Sequence, residues 1–332
     1  MTYSVGNIIV ASDYNGFAND SANNIGNVWA VGSTDKGWGQ ANIANVAAAG
    51  TVTATQWATL VNNLATMGSQ TGATITSRTA PVAGNTIAIL ANVAADINTL
   101  TLARGNAVAS GTEYGTFTGT TSKTTGTGSG TAAWTITFTH TVTFASAAAL
   151  RYFFNAGGIV RLKYGKSSTG TDTDPDWNTF AGLCGSINLT GRVNGATQSI
   201  AAQAYTGTTR IGGTGGTQTT LATTTGWYNL TGSPTTIFQL NNATSPYSGE
   251  YIRTTATATS STVLTLVTTW VSDGSSGAGT SANITGGTAV SSPATVIGAA
   301  TAPTTLVTYL PPSSTYLTTA SWGTPTIAAS VA

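Results

Sequence analysis

Charged residues are scarce in this sequence. Asp, Glu, Lys and Arg make up 6% of its 332 residues, against about 25% in an ordinary soluble domain. The formal net charge is +1. A chain without a basic excess lacks the electrostatic footprint of a nucleic-acid-binding protein. We therefore expect no nucleic-acid partner.

Cysteine and histidine are almost absent as well. Cys184 is the only cysteine, which excludes a disulfide scaffold, and His140 is the only histidine. The sequence contains no GxSxG, HExxH or CxxC pattern and no P-loop lysine. It therefore predicts neither an enzyme nor a bound cofactor. We expect Cys184 to be a small core residue.

Long apolar runs are also missing. No stretch reaches about 18 consecutive apolar residues, so no transmembrane helix and no membrane insertion are predicted. The opening, MTYSVGNIIVASDYNGF, has neither a positively charged start nor the apolar core of a signal peptide. We expect the chain to be made in a cytoplasm without a signal peptide.

The sequence is rich in threonine, glycine and aromatic residues, which excludes a highly charged disordered chain. Threonine supplies about a fifth of the chain, and there are 40 glycines. The pattern changes near residue 108, from Ala- and Asn-rich helical segments to Thr- and Gly-rich strands. We predict a mainly β fold: an α-helical N-terminal module over residues 1–108, and an antiparallel β-sandwich or jelly-roll-like domain over residues 109–332. That domain should carry two short helices and an extended C-terminal tail from about residue 274.

The first clear helix is predicted to begin at Thr53, which has capping-box spacing with Gln56, and to end at Gly68. Its apolar residues recur every three or four positions and are expected in the core. They are Trp57, Leu60, Val61, Leu64 and Met67.

A second helix is predicted from Asn85 or Thr86 to about Arg104. Its apolar stripe has a/d spacing and consists of Leu90, Val93, Ile97 and Leu100. This stripe is either one face of a hairpin with the first helix or an assembly surface in a bundle between subunits. It covers fewer than two heptads, which favours the hairpin, and we retain the four residues as candidate assembly residues.

The C-terminal part alternates apolar and polar residues. The run from Trp134 to Phe144 reads as a half-buried antiparallel strand with His140 on its apolar side. We interpret His140 as a core or interface histidine with one hydrogen bond. Further strands are predicted at IVRLKYG, Ser186–Thr190, Thr219–Leu230, Thr235–Leu240, Glu250–Thr259 and Ser261–Ser272. The expected core of this part is Trp134, Ile136, Phe138, Phe144, Phe153, Phe154, Trp177 and Phe180.

Acidic residues concentrate in one segment, KSSTGTDTDPDWN. Asp172, Asp174, Asp176 and Asn178 alternate as in the opening of a calcium loop, and they form a weak calcium candidate. The Gly and Glu that such a loop requires are replaced by Trp177 and Leu183, so no metal is predicted. Asp174 is instead expected to cap a short helix that ends at Gly185.

The basic cluster is expected to pair with these acidic residues. It consists of Arg151, Arg161, Lys163 and Lys166. Trp227, Tyr228 and Tyr251 are candidates for stacking on sugars if they are exposed, although burial in the core is the commoner fate of tryptophan.

Two segments carry a family resemblance. RYFFNAGGIVRL, a polar loop and DWNTFAGLCG, within residues 132–185, resemble a segment of structural proteins of tailed bacteriophages. The opening YSVGNIIVASDYNGF followed by KGWGQ resembles the start of virion proteins from marine and cyanobacterial phages.

The resemblance implies a non-enzymatic virion component of the tail, neck, baseplate or fibres. Its expected partners are further copies of itself, as a trimer or hexamer, and other virion proteins, and its expected location is the virion. A receptor-binding adhesin for host glycans and a capsid decoration protein are the alternatives. The resemblance implies no catalytic residues.

Overall fold

The computed structural model describes residues 10–20, 24–83, 92–115, 134–166, 173–191, 198–200, 203–215, 218–242, 249–272 and 303–332. These residues form a six-stranded sheet, a four-stranded sheet and a two-stranded ribbon, all antiparallel, together with six α-helices. The fold is mainly β with helices concentrated near the N-terminus, as the sequence predicted.

The helices are α1 (Ala11–Asn15), α2 (Ile25–Trp29), α3 (Ala54–Thr71), α4 (Val93–Ala103), α5 (Ala147–Asn155) and α6 (Thr173–Cys184). A π-helical turn follows α1 at Gly16–Asp20.

The strands are β1 (Trp134–Thr143), β2 (Ile159–Gly165), β3 (Ser186–Leu189), β4 (Gln198–Ile200), β5 (Gln203–Tyr205), β6 (Thr208–Ile211), β7 (Thr219–Leu221), β8 (Thr235–Asn241), β9 (Tyr251–Ala258), β10 (Val263–Ser272), β11 (Thr304–Leu310) and β12 (Thr326–Val331). The larger sheet has the order β12-β1-β10-β9-β8-β7, and the smaller has the order β11-β2-β3-β6. The strands β4 and β5 form the ribbon.

The two larger sheets pack face to face as a sandwich. Across the gap, Trp270 of β10 donates its indole N–H to Oγ1 of Thr305 on β11 at 3.0 Å. The ring of Tyr164 on β2 stacks on that of Phe238 on β8, with centroids 5.7 Å apart. The predicted sandwich is therefore present, while jelly-roll connectivity stays a prediction.

The predicted core is confirmed wherever its side chains are described. None of the following exposes more than 3% of its surface: Trp57, Leu60, Leu64, Ile136, Phe138, Phe144, Phe153, Phe154, Trp177 and Phe180. Trp134 begins β1, but its side chain lies outside the described set.

One hydrophobic cluster joins the helical region to the sandwich. It contains Tyr14 and Trp57 from the first part of the chain and Phe138 and Phe153 from the second. The change near residue 108 therefore separates two kinds of secondary structure, while the core continues across it.

The helix α3 begins with the predicted capping box of Thr53 and Gln56. It continues past Gly68, however, because the residue in the left-handed conformation that ends it is Gly72, with φ of 67°. The predicted caps of the next helix, Asn85 and Thr86, lie outside the described residues, and α4 begins at Val93. Likewise α6 begins at Thr173, one residue before the predicted cap Asp174.

The strand predicted over Thr219–Leu230 is wrong in its second half. β7 ends at Leu221, and a 3₁₀ turn occupies Trp227–Asn229. The side chain of Asn229 accepts a hydrogen bond from the backbone N–H of Gly226 at 3.1 Å, which stabilises this turn against the extended conformation. The other predicted strands agree with β1, β2, β3, β8, β9 and β10 to within about three residues at each end.

The prediction of an extended tail from about residue 274 is wrong for residues 303–332, and its part before residue 303 lies outside the described residues. This segment adds the edge strand β11 to the smaller sheet and the edge strand β12 to the larger one. Its prolines lie between or beside the strands, where no ladder N–H is needed. The alternation that buries Val307 and Tyr309 is therefore uninterrupted.

Candidate functional site

The densest set of polar contacts surrounds residues 31–40, which we call the clamped loop. It connects α2 to the segment before α3 and contains the sequence KGWGQ. Four of its residues have left-handed backbone conformations, namely Gly32, Thr34, Gly37 and Gly39, with φ of 49°, 51°, 91° and 68°. This backbone brings several carbonyl oxygens of the loop within reach of α5.

The helix α5 binds these carbonyl oxygens with two side chains. Nδ2 of Asn155 lies 2.9 Å from the carbonyl oxygen of Lys36 and 3.2 Å from that of Thr34. Arg151 donates to the carbonyl oxygen of Lys36 at 2.8 Å and to that of Val31 at 2.9 Å. Both side chains therefore bind backbone atoms of the same chain.

Tyr228, in the 3₁₀ turn, completes this side of the loop. Its hydroxyl lies 2.5 Å from Oδ1 of Asn155 and 2.9 Å from the carbonyl oxygen of Thr34. Burial raises the pKa of Tyr228, so the phenol stays protonated and acts as a donor. The amide of Asn155 is thus held at both ends.

The C-terminal segment binds the opposite end of the loop. Gln40 donates from Nε2 to the carbonyl oxygen of Thr319 at 2.7 Å and accepts from its backbone N–H at 3.0 Å. Ser321 donates from Oγ to the carbonyl oxygen of Gly39 at 2.5 Å. Gly39 allows this approach because a Cβ there would lie 2.7 Å from Cβ of Ser321 and 2.6 Å from the ring of Tyr152.

An ion pair ties the clamped loop to the helical region. Arg104, which follows α4, donates to Asp35 at 2.6 Å, and the arginine side chain is 7% exposed. The loop therefore contacts four separate parts of the chain: α5, the 3₁₀ turn, the end of α4 and the C-terminal segment.

A second polar cluster lies on the outer face of the smaller sheet. Glu113 lies 3.0 Å from Arg161 and 2.8 Å from Lys163, and Thr308 also donates to it. Burial alone would raise the pKa of Glu113, but hydrogen bonds from Lys163 and Thr308 and the two positive charges hold it below its ordinary value. Glu113 therefore pairs with two members of the predicted basic cluster.

The predicted acidic partners of the basic cluster are not seen in this role. Asp172 lies outside the described residues, and so do the side chains of Asp174 and Asp176 in the first turn of α6, while Asn178 is exposed. In the part of the chain that the structure describes, no three His, Cys, Asp or Glu side chains come together in a way that could hold a metal ion.

His140 is fully buried between the two sheets, as its place on the apolar side of the strand predicted. Burial lowers its pKa to about 4, against the opposing effect of a hydrogen bond with the backbone of Thr305. The imidazole is therefore neutral at pH 7. Its neighbour Thr305 also accepts the indole N–H of Trp270, so these contacts join β1, β10 and β11.

Cys184 is a fully buried core residue, as predicted. Burial raises the pKa of its thiol, which works against thiolate formation. The thiol contacts the carbonyl oxygen of Phe180 one turn earlier at 3.7 Å. These contacts give Cys184 a packing role in α6.

Three of the four candidate assembly residues are buried within their own chain. Val93, Ile97 and Leu100 expose 1% or less of their surface, and α4 packs against α3. Leu90 lies outside the described residues. The hairpin interpretation, not the intersubunit bundle, therefore describes these three residues, because their apolar surface is already covered by their own chain.

The candidate aromatic residues for sugar stacking do not form a groove. Trp227 stacks on Phe154 with ring centroids 5.5 Å apart, and the hydroxyl of Tyr228 bonds to Asn155 beside the clamped loop. Tyr251 lies under the guanidinium of Arg253 at 5.3 Å. Each ring therefore packs on its own chain.

The sequence did not reveal the roles of Asn155, Tyr228 and Gln40. Each bonds to a residue more than 70 positions away. The local indication of this loop was Trp38, which lies between two glycines. Glycines on both sides of a large side chain indicate that the backbone there has little space for further side chains.

Comparison of the chain with protein-family models, with curated proteins and with solved structures gave no match. Among the helices formed by the described residues, none is both long enough and apolar enough to cross a membrane.

Proposed function

We propose that this chain is a non-enzymatic structural subunit of a tailed-phage particle, in the tail, neck, baseplate or fibres. One observation carries the proposal. KGWGQ and RYFFNAGG, which begin 115 positions apart, belong to the two segments that resemble virion proteins. They meet where α5 binds the clamped loop, an arrangement that we call the clamp: Arg151 and Asn155 both donate to the carbonyl oxygen of Lys36.

The chemistry of the clamp suits a scaffold. Backbone carbonyls of the loop accept from Asn155, Arg151 and Ser321 of the same chain, so their hydrogen-bonding capacity serves internal contacts. A junction that holds the helical region, the sandwich and the C-terminal segment together keeps a subunit in shape when neighbours pack against it. Residues with this role would be shared by proteins that share the scaffold.

The low charge of the chain supports the same role. With 6% charged residues, large parts of the surface can be covered by neighbours without desolvating many ions. A subunit that functions inside an assembly also depends less on the charge repulsion that keeps free proteins soluble.

The experiment that tests the proposal is analysis of purified phage particles from a host that expresses the chain during infection. Particles banded on a density gradient should contain the chain in fixed copy number relative to the major capsid protein, measured by quantitative mass spectrometry. Gold-labelled antibody against the chain should mark one location on the particle. Recovery of the chain only in the particle-free fraction would overturn the proposal.

A further inference from the structure

Residues 47–52, which we call the hinge, connect the segment after the clamped loop to the start of α3. They belong to no helix or strand. Among the contacts of the described residues, their one hydrogen bond runs from the backbone N–H of Gly50 to the carbonyl oxygen of Ala47 at 2.8 Å, which closes a turn. Residues 47–49 are exposed, and Val52 packs partly on the hydrophobic cluster. The turn therefore depends mainly on its own backbone.

Ala49, the third residue of this turn, has a left-handed backbone conformation with φ of 61°. Gly or Asn normally occupies such a position, because a Cβ strains the left-handed backbone. Thr34 has a similar conformation, but Asn155 and Tyr228 bind its carbonyl oxygen. Strained residues persist where the surrounding structure enforces them. In the described chain, the turn itself does so at Ala49, and opening the turn releases the strain.

The residues before the hinge are fastened to one another. We call the described residues 10–20 and 24–46 the N-terminal arm. The side chain of Asn15 binds the backbone of Val46 at both its N–H and its carbonyl oxygen, at 2.8 and 2.9 Å. The side chain of Asn45 donates to Asp20 at 2.7 Å. The last residues of the arm are therefore held by its first helix and π-helical turn, and the arm can move as one piece about the hinge.

The N-terminal arm binds described residues that follow the hinge, which we call the body. Examples are the packed rings of Tyr14 and Trp57, the ion pair of Asp35 and Arg104, and the hydrogen bonds between Gln40 and Thr319. A second copy of the chain has the same body and offers the arm the same contacts. An arm that moves to the body of another copy therefore keeps them all, and the two arrangements differ mainly at the hinge.

We propose that the hinge opens and that two copies of the chain exchange their N-terminal arms, each arm docking on the other copy's body. The six residues of the hinge span about 20 Å when extended, which allows the arm to leave its own body. Strain in a short hinge favours this kind of exchange, because the open hinge is relaxed. Arm exchange needs only two copies of the chain and goes beyond the proposed function, but it connects the subunits of a particle through their covalent chains.

The first test compares two alanine-to-glycine variants of the hinge. Each chain is refolded at micromolar and at several hundred micromolar concentration, incubated until the fractions are constant, and measured by size-exclusion chromatography with light scattering. The unmodified chain should form dimers at the higher concentration. Ala49→Gly removes the strain from the closed turn of both subunits and should raise the dimer dissociation constant at least about tenfold. Ala48→Gly is the matched control, because position 48 has no positive φ, and it should dimerise like the unmodified chain.

The second test detects the exchange itself, through the ion pair of Asp35 in the arm and Arg104 in the body. Asp35→Arg and Arg104→Asp each place like charges together, both in the monomer and in dimers of one variant. In an exchanged dimer that contains one copy of each variant, every arm meets a body of opposite charge. An equimolar mixture refolded together should therefore contain at least about tenfold more dimer than either variant alone.

Three results would overturn arm exchange. The unmodified chain could remain monomeric at several hundred micromolar, Ala49→Gly could dimerise as tightly as Ala48→Gly, or the mixture of charge variants could contain no more dimer than its two components. Circular dichroism of each variant checks that it is folded, and the two glycine variants decide the question if a charge variant does not fold. All these measurements use the purified chain, so they can fail while the particle analysis succeeds, and the reverse.

Discussion

The hydroxyl of Tyr228 lies 2.5 Å from Oδ1 of Asn155, although the residues are 73 positions apart in the sequence. This contact orients the amide of Asn155 so that Nδ2 faces the carbonyl oxygens of the clamped loop. One side chain at the end of α5 therefore links the 3₁₀ turn to the loop, and through the loop to the C-terminal segment.

Removing this amide should destabilise the fold. Asn155→Ala removes one donor from the carbonyl oxygens of Thr34 and Lys36 and one partner from the Tyr228 hydroxyl. Each of these groups keeps a second contact, through Tyr228, Arg151 and Thr34 respectively, and we expect a loss of about 2 kcal/mol in the free energy of unfolding. Urea denaturation measures it. Asn62→Ala, on the exposed side of α3, is the control and should change stability by less than about 0.5 kcal/mol. Equal effects of the two substitutions would refute the clamp.

Coupling between the two residues follows from the same contact. We expect Tyr228→Phe to cost less in a background that already carries Asn155→Ala, by about 1 kcal/mol or more, because the shared hydrogen bond is then already lost. A double-mutant cycle in urea gives this number. Additive effects would show that the two side chains act independently.

Two glycines offer a matched comparison at the clamp. Gly39 and Gly72 have nearly the same backbone conformation, with φ of 68° and 67°, so alanine strains both by about 1 kcal/mol. A Cβ at Gly39 would also meet the Tyr152 ring at 2.6 Å, whereas nothing lies within 4 Å at Gly72. We expect Gly39→Ala to cost about 2 kcal/mol more than Gly72→Ala in thermal unfolding. A difference near zero would mean that the loop can move away from Tyr152.

His140 should make the fold sensitive to acid. Its pKa falls from the ordinary value of 6.5 to about 4 on folding, so between these values the unfolded chain binds a proton that the folded chain does not. Stability is therefore full above pH 6.5 and declines as the pH falls toward 4, by about 3 kcal/mol in total.

Urea denaturation at pH 7.5, 6, 5 and 4.5 measures this decline. His140→Gln cannot take up the proton, and because the chain contains no other histidine, the variant should have nearly constant stability from pH 7.5 to 5. A smaller loss is expected at pH 4.5, because the pKa of Glu113 is lowered on folding. A variant that loses stability with falling pH as steeply as the unmodified chain would show that His140 is not the group responsible.

Deletion of residues 1–108 should prevent folding of the remainder. The hydrophobic cluster that contains Trp57 also contains Phe138 and Phe153, so the deletion exposes apolar surface of the sandwich core. We expect the truncated chain to be insoluble or to lack a cooperative thermal transition by circular dichroism. A truncated chain that is soluble and melts cooperatively would mean that the sandwich folds without the helical region.

Local patterns were sufficient for much of the fold. Alternation along β1 predicted which residues face the core, because a strand places successive side chains on opposite sides. The three- and four-residue spacing of Trp57, Leu60 and Leu64 predicted the buried stripe of α3 in the same way. Errors arose where a competing local contact decided the conformation, as in the 3₁₀ turn capped by Asn229.

The candidate sites were harder to predict than the fold. The pairing of Glu113 with Arg161 joins residues 48 positions apart, and the sequence had suggested nearer acidic partners. The a/d spacing of α4 was compatible with burial in the chain or between subunits, because periodicity identifies an apolar face without specifying what covers it. The packing of α4 on α3 answered that question.

The sequence by itself determined the mainly β class, the position of most strands, the buried faces of α3 and β1, and the scarcity of charge. These properties depend on spacing and composition, which are local. Only the tertiary structure decided that Asn155 and Tyr228 hold the loop around Trp38, that residues 303–332 add an edge strand to each of the larger sheets, and that one hydrophobic cluster joins the helical region to the sandwich. These relationships join residues that are far apart in the sequence. The spacing of residues within one segment does not specify which distant segment it will contact.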